Sequence, residues 1–325
     1  MTNRILKMGT RGSLLARTQS GHVAAAVADV WGSVVEEVII RTEGDDTTTS
    51  LTKAAKPGIF VSALRDALLA GQVDFIVHSF KDLPSAPFEG IALAAVPLRE
   101  DERDVLVSGL AGAAGQGLGL MQLPAGAVVG TSSPRRAARV LFVRPDLTVK
   151  PIRGNIDTRI QKVRSGEYDA TILAAAGLNR VGYSAEACEF LGLDVLLPAP
   201  AQGALAIECR SDDLELLEAL SGLNDPESRL VTTAERAVLV GVAATCATAI
   251  GAFAVLTEGQ LTVTAELSDP ETNEHERREV SVHLGQSGQA NYNSPHALRE
   301  AYETGLYVAA QIMATELGKR IGGAL

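Results

Sequence analysis

Gly130-Thr-Ser-Ser-Pro-Arg-Arg136 and Arg153-Gly-Asn-Ile-Asp-Thr-Arg159 share one pattern: a short run suited to a strand, a turn rich in hydroxyls and guanidiniums, then a helical stretch. A plainer copy, Gly9-Thr-Arg-Gly-Ser13, stands near the start. Strand, turn and helix in succession are the repeating unit of an α/β fold, whose ligands gather at the carboxyl ends of the strands. Each turn places hydroxyls and free backbone N–H groups at a helix N-terminus, where an anion is best held. Arg11, Arg135, Arg136, Arg153, Arg159 and Arg180 all fall at or just after such strand ends. A guanidinium grips a carboxylate two-pronged and never loses its charge, so several together suit a ligand with many carboxylates. The chain as a whole is acidic, with 29 Lys+Arg against 39 Asp+Glu and a net charge of −10. Cations gathered at a few turns of an acidic protein point to one focused site for a small polyanion. The same balance speaks against nucleic acid, whose binding by many Lys and Arg normally shows in the overall charge.

Outward from these turns the alternation continues. Residues 4–10, 34–41, 73–77 and 91–96 read as strands, with helices over 13–31 and 60–70. Residues 128–130, 148–152 and 169–174 are strands of a second unit, separated by helices over 134–143 and 156–165. The glycine-rich run 108–124 reads as linker and does not match a dinucleotide fingerprint. Residues 196–203 form a Pro/Gly joint, and the strand at 205–208 after it is able to return to the first unit and make it discontinuous. Beyond about residue 224 the pattern changes to a helix, alternating strands at 251–256, 261–267 and 279–283, and one long helix over 295–320. A chain of 325 residues with 46% hydrophobic content suits two or three domains of a globular protein. The expectation is a two-lobed α/β protein with an added α+β module.

Other features exclude function classes. Residues 237–257 carry no charge, but their apolarity is weak and changes character midway, so a helix–turn–strand is favoured over a membrane span. The N-terminus lacks an apolar core and cleavage signature, and the chain reads as cytoplasmic. Cys188, Cys209 and Cys246 form no C-x-x-C pair, so neither a disulfide framework nor a structural metal is expected. On local evidence Cys246 reads as an inert small residue, because no neighbouring His or Lys would activate it. Lys81-Asp82 follows a buried strand in a turn closed by Pro84. Asp82 there either caps the turn or stands as a carboxylate among cations, able to stabilise a developing positive charge and relay protons. No nucleotide loop is present, and His78 beside Ser79 lacks the partners of a hydrolase triad.

Five longer motifs then converge on a known family. His78-Ser-x-Lys-Asp-Leu-Pro84, Gly130-Thr-Ser-Ser-x-Arg-Arg136, Arg153-Gly-Asn-x-x-Thr-Arg159, Ala201-Gln-Gly-Ala204 with Ile207-Glu-Cys-Arg210, and Thr233-Ala-Glu-Arg-Ala237 resemble porphobilinogen deaminase, also called hydroxymethylbilane synthase. The likeness is collinear from Thr10 to about Gly251, and coarser beyond. It implies two type II periplasmic-binding-protein-like lobes with the active site in the cleft between them, plus a small C-terminal α+β domain. The boundaries expected are 1–103 with about 204–223 for domain 1, 104–203 for domain 2, and 224–325 for domain 3.

The resemblance also implies a chemistry. A dipyrromethane cofactor is attached by a thioether, and the matching residue is Cys246. Asp82 matches the catalytic carboxylate, expected to bridge pyrrole N–H groups and stabilise the azafulvenium left when ammonia departs from porphobilinogen. Arg11, Ser13, Lys81, Thr131, Ser132, Ser133, Arg135, Arg136, Arg153, Arg159 and Arg180 match positions that bind the acetates and propionates of cofactor and growing chain. Lys56 is expected as a contact from a flexible loop. Four head-to-tail additions and a hydrolysis would release the linear tetrapyrrole from a monomeric enzyme, with hand-off to uroporphyrinogen-III synthase; no metal, nucleic acid or membrane is implied. The chain departs from the family pattern at Ala244-Thr245-Cys246 with Ala249, where Gly-Gly-Cys and a Pro are usual. It departs again at Lys56-Pro57-Gly58 in place of Gly-Lys-Gly, and at Glu43 in place of Arg. From the residues alone, a non-enzymatic anion-binding protein on the same lobes remains the alternative.

Overall fold

The computed structural model describes residues 4–41, 59–112, 117–245, 247–285 and 291–323; Glu43, Lys56 and Cys246 lie outside them. The chain begins with β1 (Leu6–Thr10), α1 (Leu14–Trp31), β2 (Val35–Ile39), α2 (Ile59–Leu69), β3 (Phe75–Ser79) and β4 (Ile91–Ala95). It continues with β5 (Asp104–Ser108), β6 (Val128–Gly130), α3 (Pro134–Val143), β7 (Thr148–Lys150), α4 (Ile156–Arg164), β8 (Ala170–Ala174), α5 (Ala175–Arg180) and β9 (Glu189–Phe190). After β10 (Leu205–Arg210) and α6 (Leu214–Ser221) come α7 (Pro226–Gly241), β11 (Ala249–Thr257), β12 (Gln260–Asp269), β13 (Glu274–His283), α8 (Pro295–Met313) and α9 (Glu316–Gly322).

Three sheets result, with strand orders β2-β1-β3-β10-β4, β7-β6-β8-β5-β9 and β11-β12-β13. The first two have one layout. Three neighbouring parallel strands, β2, β1 and β3 or β7, β6 and β8, are followed by a strand of opposite direction from a distant part of the chain. That strand is β10 in the first sheet and β5 in the second. This is the type II periplasmic-binding-protein lobe, present twice. The chain forms two compact units, residues 1–99 with 204–229 and residues 100–203 with 230–325.

Each sheet has its own core, because each buries its apolar side chains against the helices that flank it in the chain. Leu6, Met8, Phe75 and Ile207 pack with Val27 and Trp31 of α1 and Leu216 and Leu220 of α6 in the first. Leu106, Val129, Ala170 and Ile172 pack with Val140 of α3 in the second. In the third, Ala252, Val263 and Ala265 pack with Val238 of α7 and Val308 and Ile312 of α8.

Several elements differ from the sequence expectation. Residues 104–108, just before and at the start of the expected linker, form a strand absent from the sequence expectation: β5 is buried over four of its five residues. A fully buried strand shows no alternation, and this one follows a run of charges, so periodicity does not reveal it. The long terminal helix is two. Thr315 ends the first by starting the second, its Oγ1 accepting the Gly318 N–H at 3.1 Å, and Thr is a helix starter. Strand β13 starts at Glu274 rather than 279; its first half is a charged edge-strand stretch with no apolar alternation to mark it.

Candidate active site

In the first unit, β1 and β3 are parallel neighbours, so the loops at their carboxyl ends emerge at one pole. The β1 loop carries Arg11, half-buried, and Ser13, whose Oγ accepts the Ala16 N–H at 3.3 Å and starts α1. Thr10, just before, is buried and shares a 2.9 Å hydrogen bond with Ser20. At the end of β3 the chain makes a single tight turn over Phe80–Asp82. The Phe80 side chain is buried and its N–H donates to Ala204 O at 3.0 Å, while Leu83 N–H closes the turn on Phe80 O at 3.2 Å. With its neighbours on either side anchored, the turn presents Lys81 half-buried and Asp82 exposed. Beneath them Glu208 of β10 is buried against Arg65 at 2.5 Å and His78 at 3.4 Å.

In the second unit, β7, β6 and β8 are adjacent and parallel, and their carboxyl-end loops meet at one pole as well. The β6 loop is fixed by its own hydroxyls. Ser132 Oγ donates to Ile152 O at 2.8 Å, Ser133 N–H donates to Thr131 Oγ1 at 3.2 Å, and Ser133 Oγ starts α3 by accepting the Arg136 N–H at 3.5 Å. The β7 loop holds exposed Arg153, then Asn155, whose Oδ1 accepts the Thr158 N–H at 3.0 Å to start α4. Arg159 folds back so that Nε donates to Gly154 O at 2.8 Å. Arg180, at the end of α5, donates to Gly203 O at 2.6 Å.

Arg135 and Arg136 are more deeply placed than a ligand-facing role suggests. Both are buried and converge on Asp104, which is wholly buried at the start of β5. Arg135 Nη1 reaches Asp104 Oδ2 at 2.7 Å and Leu197 O at 2.5 Å. Arg136 gives Nε and Nη2 to Asp104 Oδ1 at 3.0 and 2.6 Å, and Nη1 to Ile172 O at 2.9 Å. Gln202 joins them, donating to Asp104 Oδ1 at 3.1 Å. Burial and the like charge of Arg136 lower the pKa of Arg159. Among the described residues no carboxylate pairs with Arg159. Two guanidiniums thus share Asp104 while Arg159 beside them has a backbone partner, an arrangement suited to an external anion. These donors fit a group bearing several carboxylates.

Sequence reasoning missed Asp104, and it passed over Glu235 within a motif it quoted. Glu235 of α7 is fully buried and accepts the backbone N–H groups of Ala201 at 2.6 Å and Ala254 at 2.9 Å. Ala201 has a positive φ of 63°, a backbone shape that a buried acceptor helps to hold. Asp104 sits in the charged run Glu100-Asp-Glu-Arg-Asp104, where nothing marks one carboxylate as the buried one. Around Cys246 the flanking residues brace each other: Thr245 N–H donates to Thr248 Oγ1 at 2.9 Å, and Thr248 N–H to Thr245 O at 3.1 Å.

The model for "Porphobilinogen deaminase, dipyromethane cofactor binding domain" matches residues 6–218, and that for "Porphobilinogen deaminase, C-terminal domain" matches residues 230–314. The chain belongs to the porphobilinogen deaminase family. Porphobilinogen deaminase 1 of Streptomyces coelicolor is 51% identical over 265 residues, covering 80% of this chain and 81% of that one. Porphobilinogen deaminase of Acidothermus cellulolyticus is 47% identical over 282 residues, 85% and 83% of the two chains. Among solved structures, a periplasmic His/Glu/Gln/Arg/opine family-binding protein from Silicibacter pomeroyi is 18% identical over 67% of this chain and 88% of that one, with a TM-score of 0.37.

As a member of the porphobilinogen deaminase family the chain is a transferase with the family's dipyrromethane-cofactor-binding domain. The family match extends through the C-terminal domain, beyond the segment whose motifs are legible by eye. No helix among the described residues is long and apolar enough to cross a membrane.

Proposed function

We propose that this chain joins four porphobilinogen molecules head to tail into the linear tetrapyrrole hydroxymethylbilane. At each addition the aminomethyl C–N bond breaks and ammonia leaves. A C–C bond then forms to the free pyrrole carbon of the growing chain, and that carbon loses its proton. Cys246 would hold the dipyrromethane as a thioether, and that group would supply the first such pyrrole carbon and the anchor for the chain until hydrolysis.

The residues divide this work. Asp82, exposed on an anchored turn, accepts hydrogen bonds from pyrrole N–H groups and stabilises the cation that develops as ammonia departs. Arg11, Ser13 and Lys81 bind carboxylates at the first pole, with Lys56 as a further loop contact. Arg153, Arg159 and Arg180 bind them at the second, with the Thr131, Ser132 and Ser133 turn. Arg135 and Arg136 add charge from below that turn and fix its position through Asp104. The single observation that carries the reading is Arg159: a half-buried guanidinium pressed by Arg136, whose hydrogen bond goes to a backbone carbonyl.

The same reading divides the chain into domain 1 (1–103 and about 204–223), domain 2 (104–203) and domain 3 (224–325), in keeping with three sheets that each have their own core. It carries with it a monomeric cytoplasmic enzyme whose product passes to uroporphyrinogen-III synthase.

Intact mass is the test. Purified protein is expected to exceed the chain mass by two linked pyrroles, and Cys246→Ser to lack that excess. Asp82→Asn is expected to keep the excess and lose nearly all turnover. An unmodified mass that stays unmodified after incubation with porphobilinogen would replace this reading with simple anion binding.

A further inference from the structure

Within the second unit, residues 193–198 connect β9 toward β10 without helix or strand, and almost every carbonyl there is held. Leu193 O accepts from Arg277 Nη2 at 2.7 Å, Asp194 O from Arg139 Nη2 at 3.1 Å, and Val195 O from Arg139 Nε at 3.0 Å. Leu197 O accepts from Arg135 at 2.5 Å, and Pro198 O from the Ala252 N–H of β11 at 3.0 Å. Arg135 and Arg139 are four residues apart on α3 and therefore share one face of it.

The third sheet grips the same arginine. Glu266 of β12 is buried and meets Arg139 Nε and Arg277 Nε, each at 3.0 Å. Glu266 stands directly opposite Gly251 of β11. At Gly251 a Cβ would lie 2.9 Å from both Cβ and O of Leu197, so β11 and the connecting segment touch at a distance only glycine allows. Phe142, one turn beyond Arg139, packs edge-on to His275 of β13 with centroids 4.0 Å apart, and Arg139 lies 4.8 Å over its ring.

This arrangement costs stability. A buried and a half-buried guanidinium share one carboxylate, and Arg139 Nη1 is buried with no hydrogen-bond partner. What it supplies is registry: one side chain fixes α3 against the connecting segment and against β12. The N-terminal end of α3 is the Thr131–Ser133 turn, and β11 begins three residues after Cys246.

We propose that Arg139, acting through Glu266 and the carbonyls of Asp194 and Val195, is a positioning residue that sets the carboxylate-binding turn of α3 against the strand following the cofactor cysteine. The proposal rests on the function given above. Arg139→Met keeps the stem over Phe142, and Glu266 keeps Arg277, so the fold is retained. A misplaced binding turn is expected to lower kcat/KM for porphobilinogen by about tenfold or more, chiefly through KM, and to lower the cofactor-loaded fraction read by intact mass. Arg139→Lys restores the charge but not the fork onto two carbonyls, and recovers only part. Val140→Ala, a core change in the same helix, is expected to lower the unfolding temperature with KM unchanged. A KM within twofold of the parent in Arg139→Met would overturn the proposal and leave Arg139 with a packing role only. If Arg139→Met does not accumulate, Arg139→Lys decides by the same KM criterion. The parent enzyme assayed alongside separates the two readings, since its own failure to consume porphobilinogen would remove the function rather than the positioning role.

Discussion

Asp104 and Arg136 form a buried two-pronged pair in which one carboxylate oxygen takes both Nε and Nη2, at 3.0 and 2.6 Å. Arg135 occupies the other oxygen at 2.7 Å. The pair joins the start of β5 to α3 and its Thr131–Ser133 turn, so a strand contributed by one stretch of chain fixes a turn built from another. Removing one partner of such a cluster is far costlier than the cluster's net worth, because uncompensated charge stays behind. Asp104→Asn is therefore expected to lose about 3–5 kcal/mol of stability. Chemical denaturation checks this, and a loss below the level of a surface substitution would show that water replaces the carboxylate.

Arg159 predicts the opposite balance. It is half-buried beside another cation and gives its hydrogen bond to a loop carbonyl. Arg159→Leu is expected to leave the unfolding midpoint equal or higher, since it relieves repulsion and desolvation. Yet it removes a charge-assisted bond to substrate or cofactor, about 1.5–3 kcal/mol, a ten- to hundredfold loss in kcat/KM. Calorimetry and steady-state kinetics on one preparation test both halves; a variant both less stable and fully active would assign Arg159 to the scaffold.

The buried set Arg65, Glu208 and His78 makes stability depend on acid. Burial pushes the Glu208 carboxyl up, but His78 and Arg65 outweigh it and hold the pKa below the usual 4.5. A carboxyl lower in the folded than in the unfolded state contributes stability above the unfolded value. That contribution disappears as pH falls through the folded value. The parent protein should thus lose stability more steeply below about pH 4.5 than Glu208→Gln, which is the weaker of the two at neutral pH. Urea midpoints measured across the acid range would show parallel curves if Glu208 did not titrate in this way.

How much of this was legible beforehand depends on the residue. Ser13 as the start of α1, Pro134 opening α3 and the strand–turn–helix units all announce themselves, because caps, prolines and hydrophobic runs act within a few residues of their own position. Placement of Arg11, Lys81 and Asp82 at one pole, and of Arg153 and Arg159 at another, follows from parallel strands alone. The burial of Asp104 does not follow. It lies among five charges in sequence, and only the insertion of β5 between β8 and β9 carries it inside.

By itself the sequence determined the alternation of elements, the anionic character of the ligand and, through its longer motifs, the family. These are properties of neighbouring residues, whose propensities and chemistry act locally. The tertiary structure decided which arginines are held inside against a carboxylate and which stay open to solvent. Arg135, Arg136 and Arg153 are alike in composition and in position after strands, but the first two are turned onto Asp104 and the third is exposed. A guanidinium takes whichever carboxylate the fold brings within reach, and that is settled by contacts between residues far apart in the chain.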